Sequence, residues 1–267
     1  MAGVVGIRFA KAGKIEYYDP GSEEMTQGGY VVVQREEGQE IGYVVIAPGQ
    51  VVMSKIKGSL PGIERTATPE DLRRRDSLRA EADQALAHCR DIVQELKLDM
   101  KLTEAHYPLD GEKLIITYTS EDRVDFRELL HRLGQNVKAR IELRQIGPRD
   151  DAKAKGGLGR CGRELCCSTW LVEFQPVTMK MAKEQDLPLS PAGLAGQCGR
   201  LRCCLRYEYE QYRELKRGLP KIGSRVQTAQ GEAVVVVGHP IKQTITVRLE
   251  SGAWAEIPMA ELQEVPK

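Results

Sequence analysis

The 267-residue sequence predicts an α+β protein of several modules, and three observations carry that expectation. Both ends hold short β-branched runs punctuated by glycine, the middle holds two amphipathic helical patterns around a strand pair, and a cysteine-rich stretch follows. The expected architecture is an N-terminal β-rich unit over 1–59 and a central helix-hairpin-helix-strand layer over 60–148. A cysteine-rich loop segment over 149–218 and a small C-terminal β-barrel over 219–267 complete it. The length supports several modules, since a domain usually takes roughly 100 to 200 residues.

Val4 to Phe9, Ile15 to Tyr18, Tyr30 to Gln34 and Ile41 to Ile46 are apolar or β-branched runs, separated by Gly13, Gly21, Gly28-Gly29 and Gly38. Short strands broken by glycine predict a small barrel or curled sheet. A long helix follows over Pro69 to Leu98, with Thr68 as N-cap, Pro69 at the first helical position and Glu70 and Asp71 in the first turn. Its apolar stripe runs Leu78, Ala82, Ala85, Leu86, Cys89, Val93 and Leu96. Cys89 lies on that stripe and reads as a small core hydrophobe.

Lys101 to Tyr107 and Leu114 to Thr119, joined by a turn at Pro108 to Gly111, predict a hairpin. A second helix presents Phe126, Leu129, Leu130 and Leu133 on one face and stops at Gly134. From Val137 to Ile146 residues alternate, so Val137, Ala139, Ile141 and Leu143 point one way and Lys138, Arg140, Glu142 and Arg144 the other. The basic side, Lys138, Arg140 and Arg144, is a candidate surface for RNA or a partner, weighed against an ordinary solvated strand face. The polar, glycine-containing run Pro148 to Leu158 reads as a linker. Beyond it, helices are expected at Met179 to Gln185 and Tyr207 to Arg217. Strands are expected at Arg225 to Thr228, Ala233 to Val237, Thr244 to Leu249 and Ala253 to Ile257, which suit a small barrel.

Composition narrows the class. The longest strongly apolar run is only Ala233 to Val237, whereas a membrane-spanning helix needs roughly 20 apolar residues. Arg8 interrupts the first apolar stretch, which reads as a strand and shows no secretory signal, so the expected location is cytoplasmic. The net charge of +1 is unevenly spread: +4 between Lys138 and Trp170, +5 between Gly199 and Arg225, and −8 over the rest. Positive charge surrounds the cysteines.

The seven cysteines are Cys89, Cys161, Cys166, Cys167, Cys198, Cys203 and Cys204. Six of them fall in two copies of C-G-R-x-x-C-C, Cys161 to Cys167 and Cys198 to Cys204, with Arg160 before the first copy and Arg206 after the second. In a reducing compartment clustered thiols bind metal or do redox work more often than they form disulfides. Thiolate is the ligand form, and Arg160, Arg163, Arg200, Arg202 and Arg206 supply positive charge that favours it. Positions five apart differ by about 140° around a helix, so Cys161 and Cys166 cannot share a helical face and the motif must turn. In an extended pair Cys166 and Cys167, or Cys203 and Cys204, would face opposite sides. A minimal four-ligand set takes Cys161, Cys198 and one member of each dyad. Spacing alone leaves iron and zinc about equal, with redox-active or merely buried thiols as the third reading.

The twin motifs, together with the basic-faced strand at Val137 to Ile146, resemble the bacterial YaaT/RicT proteins of sporulation stage 0. The resemblance covers nearly the whole chain, and it places the central unit in the polymerase-suppressor C-terminal-domain family. It implies a 4Fe-4S cluster as cofactor and two small helical partners, the YlbF- and YmcA-like proteins. It also implies a regulatory complex that acts in RNase Y-dependent mRNA maturation and affects sporulation, competence and biofilm development. All six motif cysteines are present for that role.

Other functions find less in the sequence. His88, His106, His131 and His239 are scattered, with no H-E-x-x-H spacing or nucleophile elbow, so no enzyme is expected. Gly156-Gly157-Leu158-Gly159 lacks the Lys-Ser/Thr of a phosphate loop. The main rival is an RNA-binding adaptor with structural zinc, in which the basic windows track phosphates and Tyr207, Tyr209 and Tyr212 stack on bases. A thiol oxidoreductase is the weaker alternative.

Overall fold

The computed structural model of the protein describes residues 3–10, 13–50 and 59–262, and the chain divides into two compact units. The parts of the expected outer modules at 1–2, 11–12, 51–58 and 263–267 lie outside the described residues. The fold class is α+β, as expected.

The first unit comprises residues 1–173 and 197–199. Its N-terminal sheet contains β1 (Val5–Arg8), β2 (Glu16–Tyr18), β3 (Tyr30–Arg35), β4 (Gly38–Ile46) and β5 (Arg65–Thr66), in the order β2-β1-β4-β3-β5. All four expected runs form strands. Val5, Ile7, Tyr18, Val31, Val33 and Val44 bury one face of the sheet. Gly42 sits under Ile7, and a methyl group there would also come within 3.0 Å of the Phe9 ring, so only glycine admits this approach.

Helix α1 (Pro69–Glu95) begins with a full capping box: Thr68 accepts from the Asp71 amide at 3.2 Å and Asp71 accepts from the Thr68 amide at 2.8 Å. It ends earlier than the expected Leu98 because Lys97 turns left-handed at φ 51° just past the Leu96 cap. The stripe Ala82, Ala85, Leu86, Cys89, Ile92 and Val93 is buried against β6 (Lys101–His106), β7 (Lys113–Thr119), β8 (Arg140–Gln145) and α2 (Arg127–Gly134). These strands run in the order β6-β7-β8, with β6 antiparallel and β8 parallel to β7. Cys89 is fully buried in this core, and burial pushes its thiol up to about 11, opposed by the charge of Arg90.

The run expected as a linker is instead α3 (Pro148–Lys155). No α3 residue is fully buried, so it offered no apolar period, but its ends follow helix rules: Pro148 opens it, Asp150 and Asp151 occupy the first turn, and Lys153 and Lys155 the last. The Thr103 hydroxyl donates to Asp151 at 2.7 Å and ties α3 to β6.

The second unit comprises residues 174–196 and 200–267. Helices α5 (Met179–Glu184), α6 (Pro191–Leu194) and α7 (Cys204–Arg217) enclose a small core of Ala182, Leu194 and Leu205. Strands β9 (Arg225–Thr228), β10 (Gly231–His239), β11 (Thr244–Leu249) and β12 (Trp254–Pro258) form an antiparallel meander in the order β12-β11-β10-β9. One face buries Val226, Ala233, Val235, Ile245, Val247 and Ile257. No ladder closing β9 onto β12 is present among the described residues. No helix among the described residues is long and apolar enough to cross a membrane.

Candidate metal centre

The two cysteine motifs fold as one structure repeated 37 residues later. In the first, Leu158 bridges Glu164, the Gly159 amide donates to the Arg163 carbonyl at 2.8 Å, and the Leu165 amide donates to Gly157 at 3.0 Å. In the second, Ala195 bridges Leu201, Gly196 donates to Arg200 at 2.8 Å, and Arg202 donates to Leu194 at 3.0 Å. Gly162 and Gly199 take the tip of each turn at φ 77° and 73°, a left-handed conformation that costs an L side chain energy. The first cysteine of each motif, Cys161 or Cys198, stands immediately before this glycine.

The dyads are helical, not extended. Cys166 and Cys167 open the short helix α4 (Cys166–Thr169), and Cys203 caps α7, whose first residue is Cys204. Adjacent thiols on a helix diverge by about 100°, so the expected opposition of the two faces is replaced by a smaller splay. The repeat also includes a position that the motif does not contain. The Trp170 amide donates to the Cys166 carbonyl at 3.1 Å and the Tyr207 amide to the Cys203 carbonyl at 3.2 Å, and both rings are exposed. Their 37-residue spacing was legible in the sequence, although only Tyr207 was singled out there.

Cys161 is exposed, Cys167 is buried, and Cys166, Cys198, Cys203 and Cys204 are half-buried. Cys161, Cys166, Cys167 and Cys198 belong to the first unit and Cys203 and Cys204 to the second. Within the first unit, the Gln197 side chain donates to the Leu158 carbonyl at 3.1 Å, which joins the residue before Cys198 to the entrance of the first hairpin. Arg160, Arg163 and Arg200 are exposed, and Arg206 pairs with Glu210 at 3.4 Å.

Among the described residues no three Cys, His, Asp or Glu side chains are already gathered as a metal-binding group. The donor set is nevertheless of the right chemistry for a soft metal or an iron–sulfur cluster, being thiols alone. Arg202, between Cys198 and Cys203, keeps Nε buried without a hydrogen-bond partner among the described residues. A buried guanidinium nitrogen demands an acceptor, and sulfur of a thiolate or sulfide would provide one. The residues present therefore fit an iron–sulfur group in chemistry, through six thiols and one orphaned donor.

The other candidate residues are placed as follows. Lys138 and Arg140 are exposed, whereas Arg144 is held by Glu37 and, at 2.8 Å, by Glu142, with these two carboxylates raising its pKa. His88 bonds Asn136 at 2.9 Å, and His106 bonds Glu40 at 2.7 Å. Tyr212 is pushed up by burial and by Glu208, Asp186 and Cys204.

Two family models match parts of the chain. Residues 61–146 match the family model described as the PSP1 C-terminal conserved region, and residues 176–219 match the PSP1-like protein, third domain. The chain is 45% identical over 249 residues to the stage 0 sporulation protein YaaT of Bacillus subtilis (strain 168), spanning 93% of this chain and 90% of that protein. It is 27% identical over 139 residues, 42% of this chain and 19% of the other, to an uncharacterized protein of Schizosaccharomyces pombe. No solved structure matches.

Proposed function

The chain belongs to the YaaT family, and from that premise we propose that it is a non-enzymatic, cytoplasmic iron–sulfur scaffold of sporulating cells. In this reading it assembles with YlbF- and YmcA-like partners and directs RNase Y-dependent mRNA maturation, with effects on sporulation, competence and biofilm development. The observation that carries the metal reading is the structural duplication of the thiol-bearing hairpin, turn glycine and helical dyad included. A pair of matched loops is the arrangement expected where several donors must be held for one kind of group.

Cys161, Cys166, Cys167, Cys198, Cys203 and Cys204 are the ligands from which a 4Fe-4S cluster would be held. When bound, such a group supplies strong thiolate bonds and an oxidation-sensitive link between segments. The chain's own residues do the remaining work. Gly162 and Gly199 set the turn that presents the leading cysteine, and the helical starts fix the dyads. Arg202 Nε, buried without a partner among the described residues, would be available as a donor to a thiolate or sulfide, and exposed Arg160, Arg163 and Arg200 would offset anionic charge. Ordering of these loops by metal would couple partner contacts to occupancy.

The test is anaerobic purification with iron and sulfide analysis and a visible spectrum, followed by partner pull-down from anaerobic and air-exposed material. Iron and sulfide in similar amounts, and weaker partner recovery after verified cluster loss, are expected. Equal recovery would reject the coupling. Colourless protein with stoichiometric zinc and no iron would instead establish the RNA-adaptor reading's metal.

A further inference from the structure

The outer face of the C-terminal sheet carries a feature that no part of the metal reading uses. The strand registers place Arg225 opposite Val234, Val234 opposite Arg248, and Arg248 opposite Trp254, so these four residues form one row across β9, β10, β11 and β12. The opposite face is the core of this sheet, and Trp254 takes no part in it, being 64% exposed. Three inter-strand spacings make the row about 14 Å long.

The charges along this face are unequal in availability. Glu232 is engaged by Arg225 at 3.2 Å. Glu256 accepts from Thr244 at 2.7 Å and from Lys242 at 3.4 Å, and these contacts, led by Thr244, lower its pKa. Arg248 has no ion pair among the described residues and stands directly opposite the exposed indole. Glu232 and Glu256 each have a cationic neighbour, Arg225 and Lys242, while the Arg248 guanidinium is left beside a flat aromatic surface. An indole stacks on any base and a guanidinium binds phosphate, so this pairing is complementary to an unstacked, anionic polymer. An apolar protein surface would leave Arg248 without a counter-charge.

We propose that this face is a binding site for single-stranded RNA, with Trp254 as the stacking platform and Arg248 as the phosphate contact. The site stands independently of the metal reading. Val234 lies between the arginines and keeps the middle of the row low and apolar, which lets a ribose or base edge lie against the sheet.

The test uses the full chain, anaerobically purified, and a labelled twelve-nucleotide oligouridylate followed by fluorescence anisotropy at several salt concentrations. Trp254→Ala should weaken binding by roughly 5- to 100-fold, the loss of one base stack. Trp254→Phe should restore most of the affinity, and Arg248→Gln should reduce the salt slope by about 0.7. A duplex of the same length should bind more weakly than the single strand. Unchanged melting temperature confirms that the exposed substitutions leave the fold intact. Wild-type protein that fails to bind the oligonucleotide at low salt overturns the proposal. So does equal affinity of wild type and Trp254→Ala, and so does loss of a protein partner in Trp254→Ala with RNA binding unchanged.

Discussion

Asp71 accepts from the Thr68 amide at 2.8 Å and from both terminal nitrogens of Arg65, one of them at 2.8 Å, while its side chain is largely buried. The Arg65 hydrogen bonds, opposed by burial and helped by Thr68, hold its carboxyl well below the usual carboxylate range. A lowered folded-state value means that the ionised group stabilises the fold fully above the unfolded value, about 3.9, and that this contribution disappears as pH falls toward the folded value. Asp71→Ala removes the reciprocal half of the capping box and this linkage, while the Thr68 hydroxyl can still accept from the amide at position 71. It should cost about 1 kcal/mol near neutral pH, the ordinary worth of a helix cap. Denaturant melts from pH 7 down to pH 3 check this: the gap between wild type and variant should be constant above about pH 5 and begin to narrow below about pH 4, as the unfolded-state carboxyl protonates. A gap that stays constant would show that Asp71 acts by packing and not by charge. The Thr68-Pro69-Glu70-Asp71 run announced this helix start in the sequence, but the Arg65 contact did not, because it depends on β5 bringing a strand residue beside the helix.

At the scale of elements, each thiol hairpin turns on one glycine. No heavy atom lies within 4 Å of a Cβ built at Gly162 or Gly199, so a substitution there is opposed by backbone conformation and not by crowding. Gly162→Ala and Gly199→Ala should each strain the turn by roughly 1–2 kcal/mol and lower iron retention to a similar extent, because the two hairpins share one hydrogen-bond pattern. Iron per chain after anaerobic desalting is the readout, and full retention in both variants would mean that the turn does not position the cysteines. The cysteine repeat was plain in the sequence, but its extension into paired backbone bonds was not, since bonds such as Gly159 to Arg163 involve residue types that differ or repeat without a side-chain signature. Helix α3 was hidden for a different reason. It buries no residue fully, so the apolar period that revealed α1 and α2 is missing, and only the charges at its ends marked it. The first helical dyad escaped because Cys166 opens a helix of only four residues, too short to show any period, and the second because Cys203 and Cys204 lie at the N-terminal end of α7, ahead of the Tyr207 to Arg217 stretch that reads as helical.

For the molecule as a whole, the α+β class and the order of its sheets were legible because α1, β6, β7, α2 and β8 all bury apolar faces in one core, and the meander buries alternate residues on one face apart from a register shift between Val235 and Val237. The division into units was less so. The boundary falls inside the second motif: Cys198 is grouped with the first unit, whereas Cys203 and Cys204 belong to the second. A continuous motif gives no local sign of such a break, since no proline or charge run marks Gly199 to Arg200. Ligation by cysteines of both motifs has a measurable consequence that two self-sufficient motifs would lack. If both serve one group, Cys161→Ser and Cys203→Ser should each empty it, and the double variant should lose no more iron than either alone. Groups that act as a unit are non-additive in this way, while distant independent sites add. Iron and sulfide per chain in the two single variants and the double variant settle the matter. Half the iron in each single variant and none in the double would show one group per motif. Cys89→Ser supplies the control, because its thiol is fully buried in the core under α1, belongs to neither motif and is pushed up to about 11. It should lower the melting temperature by placing a hydroxyl in an apolar core while leaving the iron content unchanged.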